Sequence, residues 1–294
     1  MHSNDARRAA RRAMAGVCLL MACAGLALVL FGAREGSASD PVAPAADPVA
    51  SAEPALRVPR AERPAVAPAP TGRQTLTASG GTPVHAFPPL ATGGVPSPKP
   101  MVVMLHGMCS PALPTCDFWS AAGREGSWLV CPTGNAMCGG EPDWKGTGED
   151  KATSIDASLA AVDGAFGAWI DHAAGDVLIG FSRGAFVARD VIYARPGRYA
   201  GVILVGAALS PDPARFKASG VRRVVLAAGE YDGARPSMQR AAAVLTAAGV
   251  SARYVSLGRI GHWLPGDFEA KMRNALRWIR NGDTVPARDH AAPA

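Results

Sequence analysis

The chain has 294 residues, a formal net charge of +6 and 48% hydrophobic residues, a length that fits one large or two small domains. The basic residues are scattered apart from one block, Arg7, Arg8, Arg11 and Arg12, at the N-terminus. That pattern excludes a basic nucleic-acid-binding face as the reason for the charge.

Behind the four arginines lies an uncharged, largely apolar stretch from Ala13 to Ala33, followed by Arg34 and Glu35. Basic residues before an apolar run are the layout of an export signal. A run of roughly 20 residues exceeds the h-region of a cleaved signal and is long enough to span a bilayer. Residues 1–39 are therefore expected to be a signal or membrane anchor, with an uncleaved anchor favoured. Small residues at Gly36-Ser37-Ala38-Ser39 leave a cleavage site open. The positive-inside bias places everything after this segment outside the cytoplasm, on the periplasmic or extracellular face. Residues 40–70 hold eight prolines among alanines and no aromatic residue. Such a composition cannot bury enough apolar surface to order itself, which predicts a disordered spacer. A polar tail is likewise expected over 283–294, leaving 71–282 as one domain.

Within that domain the pattern alternates. Thr75–Ser79 and Pro83–Phe87, around Gly80-Gly81, predict a leading hairpin. Apolar runs at Met101–Leu105, Trp128–Cys131, Val177–Gly180, Val202–Val205 and Val224–Ala227 read as buried strands, and Arg253–Leu257 as one more. Helical stretches are expected at Ile155–Ile170, Gly184–Ala194, Ser237–Ala248 and Phe268–Ile279; in the last, Phe268, Met272, Ala275, Leu276 and Ile279 recur at helical spacing. Strands alternating with helices predict an α/β fold with a mostly parallel sheet covered on both faces.

The chemistry-bearing motif is Gly180-Phe181-Ser182-Arg183-Gly184, placed between a strand and a helix. G-x-S-x-G in that context lifts a serine hydroxyl above the sheet on a sharp turn, which makes Ser182 the candidate nucleophile. An acid and then a histidine should follow in chain order. Gly229-Glu230-Tyr231-Asp232 follows the Val224–Ala227 strand, and Gly258-Arg259-Ile260-Gly261-His262-Trp263 follows the Arg253–Leu257 strand. His262 is the candidate general base.

Val102-Val103-Met104-Leu105-His106-Gly107-Met108 is a second motif, a buried strand ending in His-Gly. With it the domain resembles the α/β-hydrolase superfamily. Among its members it is most similar to the capless serine esterases, the dienelactone-hydrolase, polyhydroxybutyrate-depolymerase and feruloyl-esterase-like group. The resemblance implies an oxyanion hole made by the backbone N–H groups of Met108 and Arg183, with His106 holding the turn. It also implies Asp232 as the triad acid, with Glu230 as the alternative. Only about a dozen residues separate Leu209 from Val221, too few for a cap domain. The pocket is therefore expected to be open, with Phe181, Trp144 and Trp263 as candidates for lining it.

Cys109, Cys116, Cys131 and Cys138 form an even set in a domain expected to be exported, which suggests two disulfides. Four cysteines allow three pairings; the two local loops, Cys109–Cys116 and Cys131–Cys138, are the simplest. The spacings do not suit a zinc site. The expected activity is cleavage of a small-molecule or polymeric carboxylic ester through an acyl-serine, with no cofactor, no metal and no nucleic-acid partner. The alternatives are acyl transfer or peptide cleavage by the same triad, or a non-catalytic binding module on the hydrolase fold. Sequence offers no reading of oligomeric state.

Overall fold

The computed structural model describes residues 68–93 and 96–282. The expected targeting segment, nearly all of the expected spacer and the tail 283–294 lie outside the described residues. Among the described residues no helix is long and apolar enough to cross a membrane.

In chain order the strands are β1 (Gln74–Thr77), β2 (Pro83–Phe87), β3 (Met101–Leu105), β4 (Trp128–Pro132), β5 (Ala136–Cys138), β6 (Glu141–Asp143), β7 (Asp176–Phe181), β8 (Tyr199–Val205), β9 (Arg223–Ala228) and β10 (Ala252–Ser256). The α-helices are α1 (Ala112–Asp117), α2 (Ser120–Gly123), α3 (Gly148–Phe166), α4 (Arg183–Ala194), α5 (Pro213–Ala218), α6 (Arg235–Ala247) and α7 (Phe268–Asn281). Eight strands form one sheet in the order β1-β2-β4-β3-β7-β8-β9-β10, while β5 and β6 pair separately. The two leading strands run antiparallel and the rest of the sheet is parallel. The α/β class and the mostly parallel sheet are as expected.

Strand alternation explains why the sheet is buried on both faces. Val103 and Leu105 of β3 face one side with Leu178, Val202, Leu204, Val224 and Leu226, under α3, α4 and α6. Val102 and Met104 face the other with Val177, Ile179, Ile203, Val205 and Val225, under α1, α2 and α7. The helical spacing in α7 delivers Phe268, Met272, Ala275, Leu276 and Ile279 to that second face. Between Leu209 and Val221 the chain forms only α5, whose Phe216 is buried in the core; no cap is present there.

Two element boundaries depart from the periodicity. Helix α3 begins at Gly148, before the apolar pattern starts, because a capping box starts it: Thr147 Oγ1 accepts the Asp150 N–H at 3.2 Å while Asp150 Oδ2 accepts the Thr147 N–H at 2.8 Å. It ends at Phe166 rather than Ile170, giving way to a tighter 3₁₀ turn at Gly167–Trp169.

The local disulfide loops are overturned. The bonds are Cys109–Cys138 and Cys116–Cys131, with Cα separations of 5.1 and 6.1 Å. Cys131 lies on β4, two residues after Leu129, so both side chains point to the face where α1 brings Cys116. Cys109 follows β3 and meets the end of β5 instead. Peptide mapping without reduction is expected to recover these two cross-links and neither local loop. Removing Cys116–Cys131, which closes a 15-residue separation, is expected to lower stability by about 3 kcal/mol in denaturant titration.

Candidate active site

Parallel strands leave their C-terminal ends on one edge of the sheet, where loops can gather reactive side chains. Three such loops meet here. Ser182 lies between β7 and α4 at φ 54°, ψ −118°, a backbone conformation that a non-glycine residue adopts only under constraint. The flanking glycines permit it. A Cβ at Gly180 would collide with the carbonyl of Gly184, and one at Gly184 would collide with the carbonyl of Leu105. The Ser182 N–H donates to the Val205 carbonyl at 2.8 Å, tying the turn to β8.

Asp232 follows β9 and His262 follows β10. The two loops are joined by the N–H of Glu230 donating to the Gly258 carbonyl (2.8 Å) and that of Tyr231 donating to the Ile260 carbonyl (2.9 Å). His262 Nε2 lies 3.0 Å from Ser182 Oγ, and its Nδ1 lies 2.9 Å from Asp232 Oδ2. A carboxylate accepts only, so Nδ1 carries the ring proton, leaving Nε2 to accept from the serine hydroxyl. Asp232 is buried, with Oδ1 accepting the Ala234 N–H at 2.8 Å. The His262 side chain is 48% exposed, stacked on Phe181 at a centroid distance of 5.2 Å. Glu230 points elsewhere, toward Ser256 Oγ at 3.4 Å.

Gly206, just after β8, has no motif to mark it. It sits at φ 64°, and a Cβ there would lie 3.1 Å from His262 Cε1 and 3.3 Å from Asp232 Oδ2. Its missing side chain makes room for the His–Asp pair. The His-Gly loop after β3 packs beside the serine: a Cβ on Gly107 would lie 3.6 Å from Ser182 Cβ. Met108 follows, exposed. The Arg183 N–H, at the first position of α4, has no intrahelical acceptor.

The three aromatic candidates separate. Phe181 lies beside His262, and Trp263 is exposed, meeting Phe118 edge-on at 6.0 Å. Phe118 also lines a cleft of about 330 Å³ together with Pro114, Asp117, Pro265, Phe268 and Glu269. Trp144 is a correction: it is fully buried, donating Nε1–H to the His106 carbonyl at 3.1 Å. An indole packed tilted on the His106 ring, 4.9 Å away, offers no surface to a ligand in an open cleft.

His106 is buried too. Its Nε2 accepts the Gly134 N–H at 2.9 Å, so Nδ1 carries the proton and donates to the Gly107 carbonyl at 2.8 Å. Burial lowers its pKa from 6.5, outweighing the Gly107 carbonyl and Asp143, which raise it. A depressed folded pKa means that the unfolded chain binds the proton first. The stability His106 contributes is therefore full above about pH 6.5 and is lost as pH falls through the lower folded value. Thermal unfolding between pH 7.5 and 5 is expected to show this loss, and His106→Asn to have a flatter pH dependence.

No protein-family model and no curated protein matches the chain. Solved structures do. An esterase of Pyrobaculum calidifontis superposes with a TM-score of 0.54 at 14% identity, covering 71% of this chain and 85% of that one. FphF, a fluorophosphonate-binding serine hydrolase of Staphylococcus aureus, gives 0.53 at 13% identity, covering 72% and 100%. The S-formylglutathione hydrolase FrmB of the same organism gives 0.50 at 12%, covering 74% and 100%. Identities this low speak to architecture, and the architecture is that of the α/β-hydrolase fold, without a cap.

Proposed function

We propose that the domain is a serine hydrolase that cleaves carboxylic esters. The observation that carries this reading is the hydrogen-bonded line Asp232–His262–Ser182, with the serine on a constrained turn. Ser182 Oγ attacks the ester carbonyl carbon as its proton passes to His262 Nε2. The carbonyl oxygen takes the negative charge, facing the N–H groups of Met108 and Arg183, donors matched to charge that exists only in the transition state. Collapse breaks the bond to the alkoxy oxygen, which leaves as the alcohol with the proton from His262. Water then repeats the sequence on the acyl-serine, releasing the acid. Asp232 keeps the ring in the required tautomer and stabilises the imidazolium formed in each half-reaction.

Small or polymeric esters suit the open, apolar surroundings of Phe181 and Trp263. The neighbours described as an esterase and as an S-formylglutathione hydrolase fit the same reading. The N-terminal sequence and the two disulfides, bonds that persist in oxidising compartments, support export of the domain.

Ser182→Ala is expected to lower kcat on an aryl-ester series by about 10³-fold or more and to abolish fluorophosphonate labelling with the fold intact. Asp232→Asn should slow turnover far more than Glu230→Gln; the reverse order would reassign the acid. Product analysis with added alcohols and peptides separates hydrolysis from acyl transfer and amide cleavage. Fractionation with N-terminal sequencing should find the domain outside the cytoplasm, anchored or cleaved; a cytoplasmic protein retaining Met1 contradicts export.

A further inference from the structure

The β5–β6 hairpin stands outside the main sheet. Its strands have three residues each, and a ribbon that short is not stable alone. It is anchored at its base. The Gly134 N–H donates to His106 Nε2 at 2.9 Å, and the Trp144 indole N–H donates to the His106 carbonyl at 3.1 Å. The Asn135 side chain closes the base by accepting the Lys145 N–H at 2.9 Å and donating to the Lys145 carbonyl at 3.1 Å. All of these partners lie outside the proposed triad.

From this base the hairpin reaches two separate loops. On one side Cys138 is bonded to Cys109, and the Pro142 carbonyl accepts the Ser110 N–H at 3.1 Å. Cys109 directly follows Met108 and sits at φ 46°, a left-handed conformation that a cysteine keeps only when its surroundings hold it. On the other side the Arg183 guanidinium donates Nε–H and Nη2–H to the Trp144 carbonyl at 3.2 and 2.8 Å. Its Nε also lies 3.1 Å from Asp143 Oδ1, a buried carboxylate. The residue whose side chain is held in this way supplies the second N–H proposed to face the oxyanion.

We infer that the β5–β6 hairpin positions the oxyanion hole, holding the Met108 side through Cys109–Cys138 and the Arg183 side through Asp143 and the Trp144 carbonyl. This rests on the reading of Ser182 as nucleophile. Met108 and Arg183 follow β3 and β7, neighbouring strands whose ends already pack together through Gly107 and Gly184. The hairpin adds a tie from outside the sheet that reaches both loops beyond the strand ends. Donors set before charge develops need not reorganise during the reaction, and catalysis by an oxyanion hole depends on this. Cys138, Asp143 and the Arg183 side chain are positioning residues: they act through two backbone N–H groups.

The test compares the full-length protein with four variants on one aryl ester: Cys109→Ser/Cys138→Ser, Asp143→Asn, Arg183→Lys and the control Cys116→Ala/Cys131→Ala. Arg183→Lys keeps the backbone N–H but loses the two-point contact with the carbonyl. Loss of one whole donor costs about 10²–10³-fold in kcat, so loosened donors should cost about 10-fold, with KM within about two-fold of wild type. Inhibition by an aryl boronic acid, whose tetrahedral adduct puts an oxygen in the hole, should weaken in parallel with kcat. The control should melt at a lower temperature yet keep its kcat when assayed well below that temperature. Wild-type kcat and boronate affinity in folded Cys109→Ser/Cys138→Ser overturn the inference. Should that variant not fold, the same two measurements on Asp143→Asn and Arg183→Lys decide it. An equal kcat loss in the control also overturns it. Ser182→Ala in the same assay keeps the two readings apart: turnover surviving there overturns the nucleophile assignment, whereas turnover lost there with unchanged hairpin variants overturns only the positioning role.

Discussion

The backbone of one residue organises this site. Ser182 can hold its left-handed conformation only because nothing projects from Gly180 or Gly184. A conformation of that kind costs about 1–3 kcal/mol. The hydrogen bonds from the Ser182 N–H to Val205 and from the Ala185 N–H to the Ser182 carbonyl, at 2.8 and 3.0 Å, each return about 0.5–1.5 kcal/mol. The turn is thus held at little net cost, with β8 and α4 as its supports. It aims the hydroxyl out of the sheet and starts α4 immediately afterwards, bringing the positive end of the helix dipole close to the serine.

A second constraint is electrostatic. Asp232 is buried, whereas His262 is half exposed. A carboxylate removed from water and committed by one oxygen to Ala234 has its other oxygen free for the imidazole. Gly206 leaves space for this pair, so the Asp–His geometry depends on a backbone position just after a third strand, β8. A side chain at Gly206 would press on both members of the pair and shift the ring relative to Ser182.

Much of this was legible in the sequence because the informative signals are local. A parallel strand buried on both faces must be a continuous apolar run, and Met101–Leu105 gives its own boundaries. G-x-S-x-G declares both the turn and the residue on it. Signals that depend on tertiary neighbours were not legible. Nothing near Cys131 says that α1 will lie over it, so spacing favoured local loops while strand alternation chose Cys116. Trp144 follows a chain segment that approaches the site, yet only the fold shows it under His106. The start of α3 could have been found, since Thr147 and Asp150 have capping-box spacing. Gly206 could not, because a glycine after a strand has many uses.

The short crossover between β8 and β9 carries α5 and nothing larger, and that bears on the fate of the proposed acyl-enzyme. Among the described residues nothing larger covers that side of Ser182, so bulk water would reach the proposed acyl-serine directly. On the proposed reading, competing nucleophiles would have to win by local binding against that solvent, which would weight partitioning toward the free acid. An open surface also needs no closing motion before chemistry, which removes one common source of a slow step. The same openness gives up the selectivity that enclosure provides. On the proposed reading, discrimination among acyl chains would fall to the apolar side chains beside His262, Phe181 and Trp263.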